Sequence, residues 1–164
     1  MIIMDEELGY EVLERLGLEI EIRKYNRQLW AQDHNLDSNA SYMKLSAYAE
    51  GQNKEQRKAP IKGPVINSED IHGPFVALIL LPQEEHPPEP LDEEIHIRKI
   101  PERKYAVISL LGLVTPESFE RDKRVLENTL KNKGTKIISG PYFFQYSKPW
   151  TLPLEQKNEV AYEI

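Results

Sequence analysis

The sequence predicts an α+β protein in which a duplicated strand-strand-helix-strand unit forms a distorted, mainly antiparallel open β-barrel flanked by two helices. Three observations predict this. The stretch Glu19-Ile-Glu-Ile-Arg-Lys-Tyr-Asn-Arg-Gln-Leu-Trp-Ala31 returns as Glu94-Ile-His-Ile-Arg-Lys-Ile-Pro-Glu-Arg-Lys-Tyr-Ala106, identical at six of thirteen positions. A helix-start signal at Ser38 has its counterpart at Thr115, and Gly63-Pro64-Val65 has one in Gly140-Pro141-Tyr142, both 77 residues on. Within each copy the apolar period changes from two to about 3.6, the mark of strands giving way to a helix. Two repeats, 19–81 and 94–164, joined by a connector 82–93, therefore account for a single domain spanning 1–164. A unit this short leaves one face of its sheet uncovered, so each copy is expected to cover the other, with a groove at the seam.

In the first repeat, Ile20 and Ile22 alternate with Glu19, Glu21 and Arg23, a half-buried strand over 19–25. Asn26-Arg27 links it tightly to a second strand, 28–33. Tyr42, Leu45, Tyr48 and Ala49 then form a helical stripe that Gly51 ends. Strands follow over 59–66 and 73–81; the latter is apolar on both faces and belongs in the middle of the sheet, under a helix. The connector, rich in proline and acidic residues, is expected to be extended and exposed. The second repeat has strands over 94–99 and 104–111. Thr115 caps a helix with Pro116 at its first position and Phe119, Leu126 and Leu130 on its apolar stripe; Gly134 stops it, and closing strands run over 136–146 and 158–164.

Composition narrows the function. At 164 residues the chain can bury a sizeable core. A net charge of -6 without any dense Lys/Arg block argues against nucleic acid, whose phosphates require a cationic surface. The absence of cysteine excludes disulfides, thiolate catalysis and thiolate-bound metal. No apolar run approaches a membrane-spanning length and Met1-Ile-Ile-Met4 is too short for a signal peptide, so a cytoplasmic protein is expected. A Gly-x-Ser-x-Gly elbow, a Gly-rich phosphate loop and a preorganised histidine metal motif are all missing, so no enzymatic machinery is read. His34, His72, His86 and His96 are scattered, and position alone selects none as a metal ligand.

Two groups of residues stand out as candidate binding positions. Met43 and Ala47, with Asn39 and Ser46 beside them, form a second face on the first helix. That face is either a broad buried surface or one wall of a ligand cleft, where small side chains would let a flat molecule lie close. Tyr142, Phe144 and Tyr146 share one face of a strand, and Trp150 follows in a proline-flanked loop. The three strand aromatics suit a core; they also suit the opposite wall of a cleft.

These residues sit among motifs that resemble the SOUL haem-binding family: Ile22-Arg23-Lys24-Tyr25, Trp30-Ala31, Leu45-x-x-Tyr48-x-x-Gly51-x-Asn53, and Ala59-Pro60-Ile61-Lys62-Gly63-Pro64-Val65. The tail adds Tyr142, then Tyr146-x-x-Pro149-Trp150-x-x-Pro153, then Asn158-Glu159-Val160, and the likeness runs from about Gly9 to Ile164. The resemblance implies the duplicated barrel and non-enzymatic binding of haem or another tetrapyrrole in a shallow apolar cleft. It also carries departures. Lys24 stands where some members have a histidine proposed as an iron ligand. The positions implied to meet haem propionates hold Asn39, Ala47 and Leu152, none of which can pair with a carboxylate. The alternative is an effector-binding module of the gyrase-inhibitor-like type, whose similar duplicated fold takes flat or cationic small molecules, often against a buried acidic residue. A third reading makes the connector a protein-interaction motif.

Overall fold

A computed structural model of the chain describes residues 3–5, 9–81, 86–146 and 157–164. In chain order these form β1 (Ile3–Asp5), β2 (Tyr10–Arg15), β3 (Ile20–Tyr25), β4 (Gln28–His34), α1 (Ser38–Ala49) and β5 (Ile61–Asp70). They continue as β6 (Gly73–Leu80), β7 (His96–Ile100), β8 (Arg103–Leu111), α2 (Pro116–Lys133), β9 (Ser139–Gln145) and β10 (Lys157–Glu163). The α+β class follows the sequence. The two additional strands, β1 and β2, lie upstream of the first repeat.

The chain builds two compact units, unit 1 from residues 1–26 and 102–164 and unit 2 from 27–101. In unit 1 the strand order is β1-β2-β3-β8-β10-β9, and every neighbouring pair is antiparallel. In unit 2 it is β5-β6-β4-β7, again antiparallel throughout. Each sheet therefore contains the same four-strand order, with β3-β8-β10-β9 in one and β7-β4-β6-β5 in the other. The first strand of each sequence repeat pairs with the second strand of the other repeat: β3 with β8, and β7 with β4.

The short links between these strands explain why they do not fold back as hairpins. Asn26 donates its backbone N–H to the Gly9 carbonyl (2.9 Å), which directs the chain away from β3. The corresponding link after β7 begins with Pro101, which has no N–H to give. Sequence repeats and compact units are thus different partitions of one chain.

The core of unit 1 lies between its sheet and α2, where Ile20, Ile22, Ala106, Ile108 and Val160 pack under Leu126 and Leu130. Thr115 caps α2 through a reciprocal pair of bonds with Ser118, Pro116 opens it, and Gly134 closes it in the left-handed conformation. In unit 2, Leu45, Tyr48 and Ala31 pack on Val76, Leu78 and Leu80 of β6, which is buried on both faces between β5 and β4.

Four features of the sequence reading are revised. The N-cap of α1 is Asp37, not Ser38; its Oδ1 accepts from the N–H groups of Asn39 (3.0 Å) and Ala40 (3.2 Å). The buried stripe of α1 begins at Ser41, whereas Tyr42 is exposed. Ser41 is drawn in because its Oγ donates to the fully buried Asp33 carboxylate (2.7 Å), which Lys44 also meets at 3.1 Å. The polar face of β3 is not solvated at Arg23, which is buried. The connector, outside residues 82–85, is tied down: Tyr48 donates its hydroxyl to the Pro88 carbonyl (2.6 Å), and Arg57 reaches the His86 carbonyl (2.7 Å).

Candidate functional site

On α1, Asn39, Met43, Ser46 and Ala47 follow a helical spacing that sets them on one side, away from the buried stripe of Ser41, Leu45, Tyr48 and Ala49. Asn39 and Met43 are exposed, Met43 to 69%, and Ser46 and Ala47 are half-buried. Tyr42 beside them is 43% exposed. An exposed Met and Tyr next to two small side chains make a soft, low surface against which a flat apolar molecule can lie. The structure therefore brings the four helix candidates together and leaves them accessible.

The strand candidates are placed differently. Tyr142 and Phe144 are buried in unit 1, on the sheet face opposite α2, in a nest with Tyr25 and Tyr105. Tyr105 meets Tyr142 and Phe144 edge-on at 5.7 and 5.8 Å, the geometry that aromatic quadrupoles favour. Tyr146 is half-buried next to this nest. Trp150 and Leu152 lie outside the described residues.

At the centre of the nest is a charged pair the sequence did not reveal. Arg23 donates through Nη1 and Nη2 to the two carboxylate oxygens of Glu159 at 2.8 and 2.6 Å. Its Nη1 also donates to the Tyr25 hydroxyl (2.9 Å) and its Nε to Glu21 (2.8 Å), while the Tyr10 ring lies 4.3 Å from the guanidinium carbon. Burial opposes the charge on Arg23, and the Glu159 carboxylate overrides it, holding the guanidinium above its ordinary pKa. Burial likewise pushes the Tyr105 phenol up to about 12 and the Tyr25 and Tyr146 phenols higher still.

Unit 2 carries a cleft of about 560 Å³, within the range of about 300–1,000 Å³ common for small-molecule sites. Gln32, His34, Asp70, His72, His96 and Arg98 line it. Ile97 also lines it, and the side chains set polar ends on a largely apolar floor. Three of the four histidines converge there, with the His34 and His72 rings edge-to-face at 5.8 Å. His34 Nε2 lies 2.9 Å from Asp70 Oδ1, which also accepts the His72 backbone N–H (2.8 Å). These bonds hold the Asp70 carboxyl below its usual pKa even though burial pushes the other way. Arg98 donates to the Gln32 side-chain oxygen at 2.8 Å. No group of three or more His, Asp or Glu side chains with metal-holding geometry occurs among the described residues. The repeat aligns Arg98 with Arg23, and that was the available signal: the same strand position carries a guanidinium in each copy, buried in unit 1 and exposed in unit 2.

Lys24 has its ammonium 3.1 Å from Glu11 and 3.9 Å from Glu102. The hydrogen bond to Glu11 raises its pKa, so it stays protonated and has no lone pair for iron.

With this geometry in hand, comparison with known proteins is decisive at the family level. The model of the SOUL heme-binding proteins matches residues 5–163. The chain belongs to the SOUL heme-binding protein family. Heme-binding protein 2 of Mus musculus is similar to this SOUL chain, 27% identical over 156 residues, spanning 85% of the chain and 75% of the mouse protein. Among solved structures, the EcmrR C-terminal domain superposes with a TM-score of 0.65 at 10% identity, covering 90% of this chain and 98% of that one. A protein from Listeria innocua described as a hydrolase gives a TM-score of 0.61 at 9% identity, covering 88% and 90%. At such low identities these two structures establish a shared fold and nothing about chemistry. No helix among the described residues is long and apolar enough to cross a membrane.

Proposed function

We propose that this SOUL protein is a non-enzymatic binder or carrier of haem or another tetrapyrrole, acting in the cytoplasm, and that the outer face of α1 is part of its ligand surface. The observation that supports this reading is the exposed face of Asn39, Met43, Ser46 and Ala47 in a chain whose family is defined by haem binding. Tyr142, Phe144, Tyr146, Trp150 and Leu152 are proposed as further candidate binding positions. The fit is to a flat apolar ring: Met43 gives an accessible, pliable apolar contact on α1, and Lys24 is a committed ammonium that cannot ligate iron. Covering several hundred Å² of porphyrin at about 25 cal/mol per Å² supplies on the order of 10 kcal/mol before the costs of association. Contact alone therefore supports affinities near micromolar.

For the effector-module alternative, the two buried acids among the described residues are both engaged, Asp33 by Ser41 and Lys44 and Glu159 by Arg23. The buried acid that an organic cation would need in unit 1 is Glu159, and both of its oxygens are already taken by Arg23. A free cation would have to displace a guanidinium held at 2.6 Å.

Parallel titrations with haemin and metal-free protoporphyrin test the proposal. Comparable affinity for both is the expected result. Failure of both to bind overturns it, and a strong preference for haemin replaces the ring-contact reading with an iron ligand.

A further inference from the structure

The histidine- and arginine-lined cleft of unit 2 is separate in its chemistry from the tetrapyrrole surface proposed above. We infer that it is a recognition site for a carboxylate group, with Arg98 as the principal anchor and the His96 and His72 rings flanking it.

The argument starts from which polar groups are already satisfied. Asp70 Oδ1 meets His34 Nε2 at 2.9 Å and accepts the His72 backbone N–H at 2.8 Å, so this carboxylate is engaged inside the cleft. The Gln32 oxygen accepts from Arg98 Nη1 at 2.8 Å, which orients the guanidinium on β7. That bond uses one of five N–H donors of a side chain that is exposed and lines the cleft. His72 and His96 are exposed on the same lining and add imidazole nitrogens. The four Arg98 N–H groups left over exceed the one remaining Asp70 oxygen, so the best matched ligand is an oxygen anion.

Charge and shape select the kind of anion. Arg98 supplies one positive charge in the lining and Asp70 opposes any further negative charge, so a monoanion is matched better than a dianion. A planar guanidinium held at one edge presents a fork that matches a planar carboxylate. The same group can come from a free small carboxylate or from the side chain of a larger ligand such as a tetrapyrrole.

The test follows the side-chain NMR signals of His72, His96 and Arg98 while sodium propionate is added, with sodium chloride at equal ionic strength as the reference. Saturable shifts with propionate that chloride does not reproduce are expected. Arg98→Gln should weaken the response at least tenfold while His34 and its bond to Asp70 keep their signals; His96→Gln should weaken it less. Equal shifts with chloride, an unchanged response in Arg98→Gln, or tighter binding of inorganic phosphate each overturn the assignment. Adding haemin at the propionate-saturated point separates the two sources. Displacement of propionate supports a tetrapyrrole carboxylate in the cleft, and simultaneous binding supports a free one. Because propionate is the primary probe, failure of this site leaves the haemin and protoporphyrin titrations to judge the tetrapyrrole reading on their own.

Discussion

Arg23 and Glu159, 136 residues apart in sequence, meet inside unit 1 in a two-pronged ion pair at 2.6 and 2.8 Å. The two side chains are 6% and 1% exposed, so neither has water to fall back on. The pair pins β3, from the start of the chain, over β10, from its end, across the intervening β8. Its value to the fold lies less in attraction than in the penalty for breaking it.

Removing one partner should therefore cost more than removing both. Glu159→Met or Arg23→Met leaves an uncompensated buried charge, and each should lower stability by about 3–5 kcal/mol. The double variant Arg23→Met/Glu159→Met should recover most of that loss. Urea unfolding of the three proteins measures it, and additive losses would show that the pair acts as two independent groups.

The repeated Gly-Pro step has a backbone reason that can be checked. Gly63 and Gly140 both adopt positive φ, 78° and 120°, a region disfavoured for other residues. A Cβ at Gly140 would lie 2.9 Å from the Tyr162 ring and 3.1 Å from the Ala161 carbonyl, whereas at Gly63 the nearest atom is Ile79 Cδ1 at 3.5 Å. Gly140→Ala should cost about 2–3 kcal/mol and Gly63→Ala about 1 kcal/mol. Thermal unfolding should rank them in that order.

Alkaline pH should weaken the fold through its buried phenols. Burial raises Tyr105 to about 12 and places Tyr25, Tyr146 and Tyr162 higher than that. A raised folded pKa means the stabilisation is complete below the ordinary phenol value near 10 and is lost as pH rises through about 12. Phenolate absorbance at about pH 11 should show at least the Tyr25, Tyr105, Tyr146 and Tyr162 phenols still protonated in the native protein. Ionisation of all eight tyrosines with the fold intact would contradict the burial argument.

Ala47→Arg tests the ligand surface on α1. Ala47 is half-buried on the outer side of the helix, where a guanidinium can remain hydrated, so stability should change by less than about 0.5 kcal/mol. A cation there should meet a porphyrin carboxylate and tighten haemin binding by about tenfold. A large fall in melting temperature, or unchanged haemin affinity, would remove Ala47 from the site.

Much of this molecule was legible in its sequence because local rules decided it. Thr115, Pro116 and Gly134 bound α2 by capping chemistry alone, and the doubly apolar run of β6 announced a central strand. Trp30 and Tyr105, matched by the repeat, occupy the second strand of each copy and are 1% and 2% exposed. What stayed hidden depended on partners far away in sequence. Ser41 reads as a surface residue until Asp33 is seen beneath it, and Arg23 reads as solvated until Glu159 arrives. The His34, His72 and His96 cluster needs the β5–β6 hairpin and β7 to be brought to the same sheet face. β2 escaped notice because a bulge between Val12 and Glu14 interrupts its alternation.

The exchanged first strands bear on how such a chain came to be. A single repeat would hold three strands of its own sheet and one strand that belongs to another. Alone, it would expose an unpaired edge at β4 or β8, an open template for a neighbouring chain. Two separate copies would satisfy each other by trading those strands, the arrangement of a swapped dimer. Joining them through the connector turns a concentration-dependent encounter between molecules into a tethered one within a single polypeptide. The strand exchange in this chain thus places within one polypeptide the pairing that a swapped dimer makes between two.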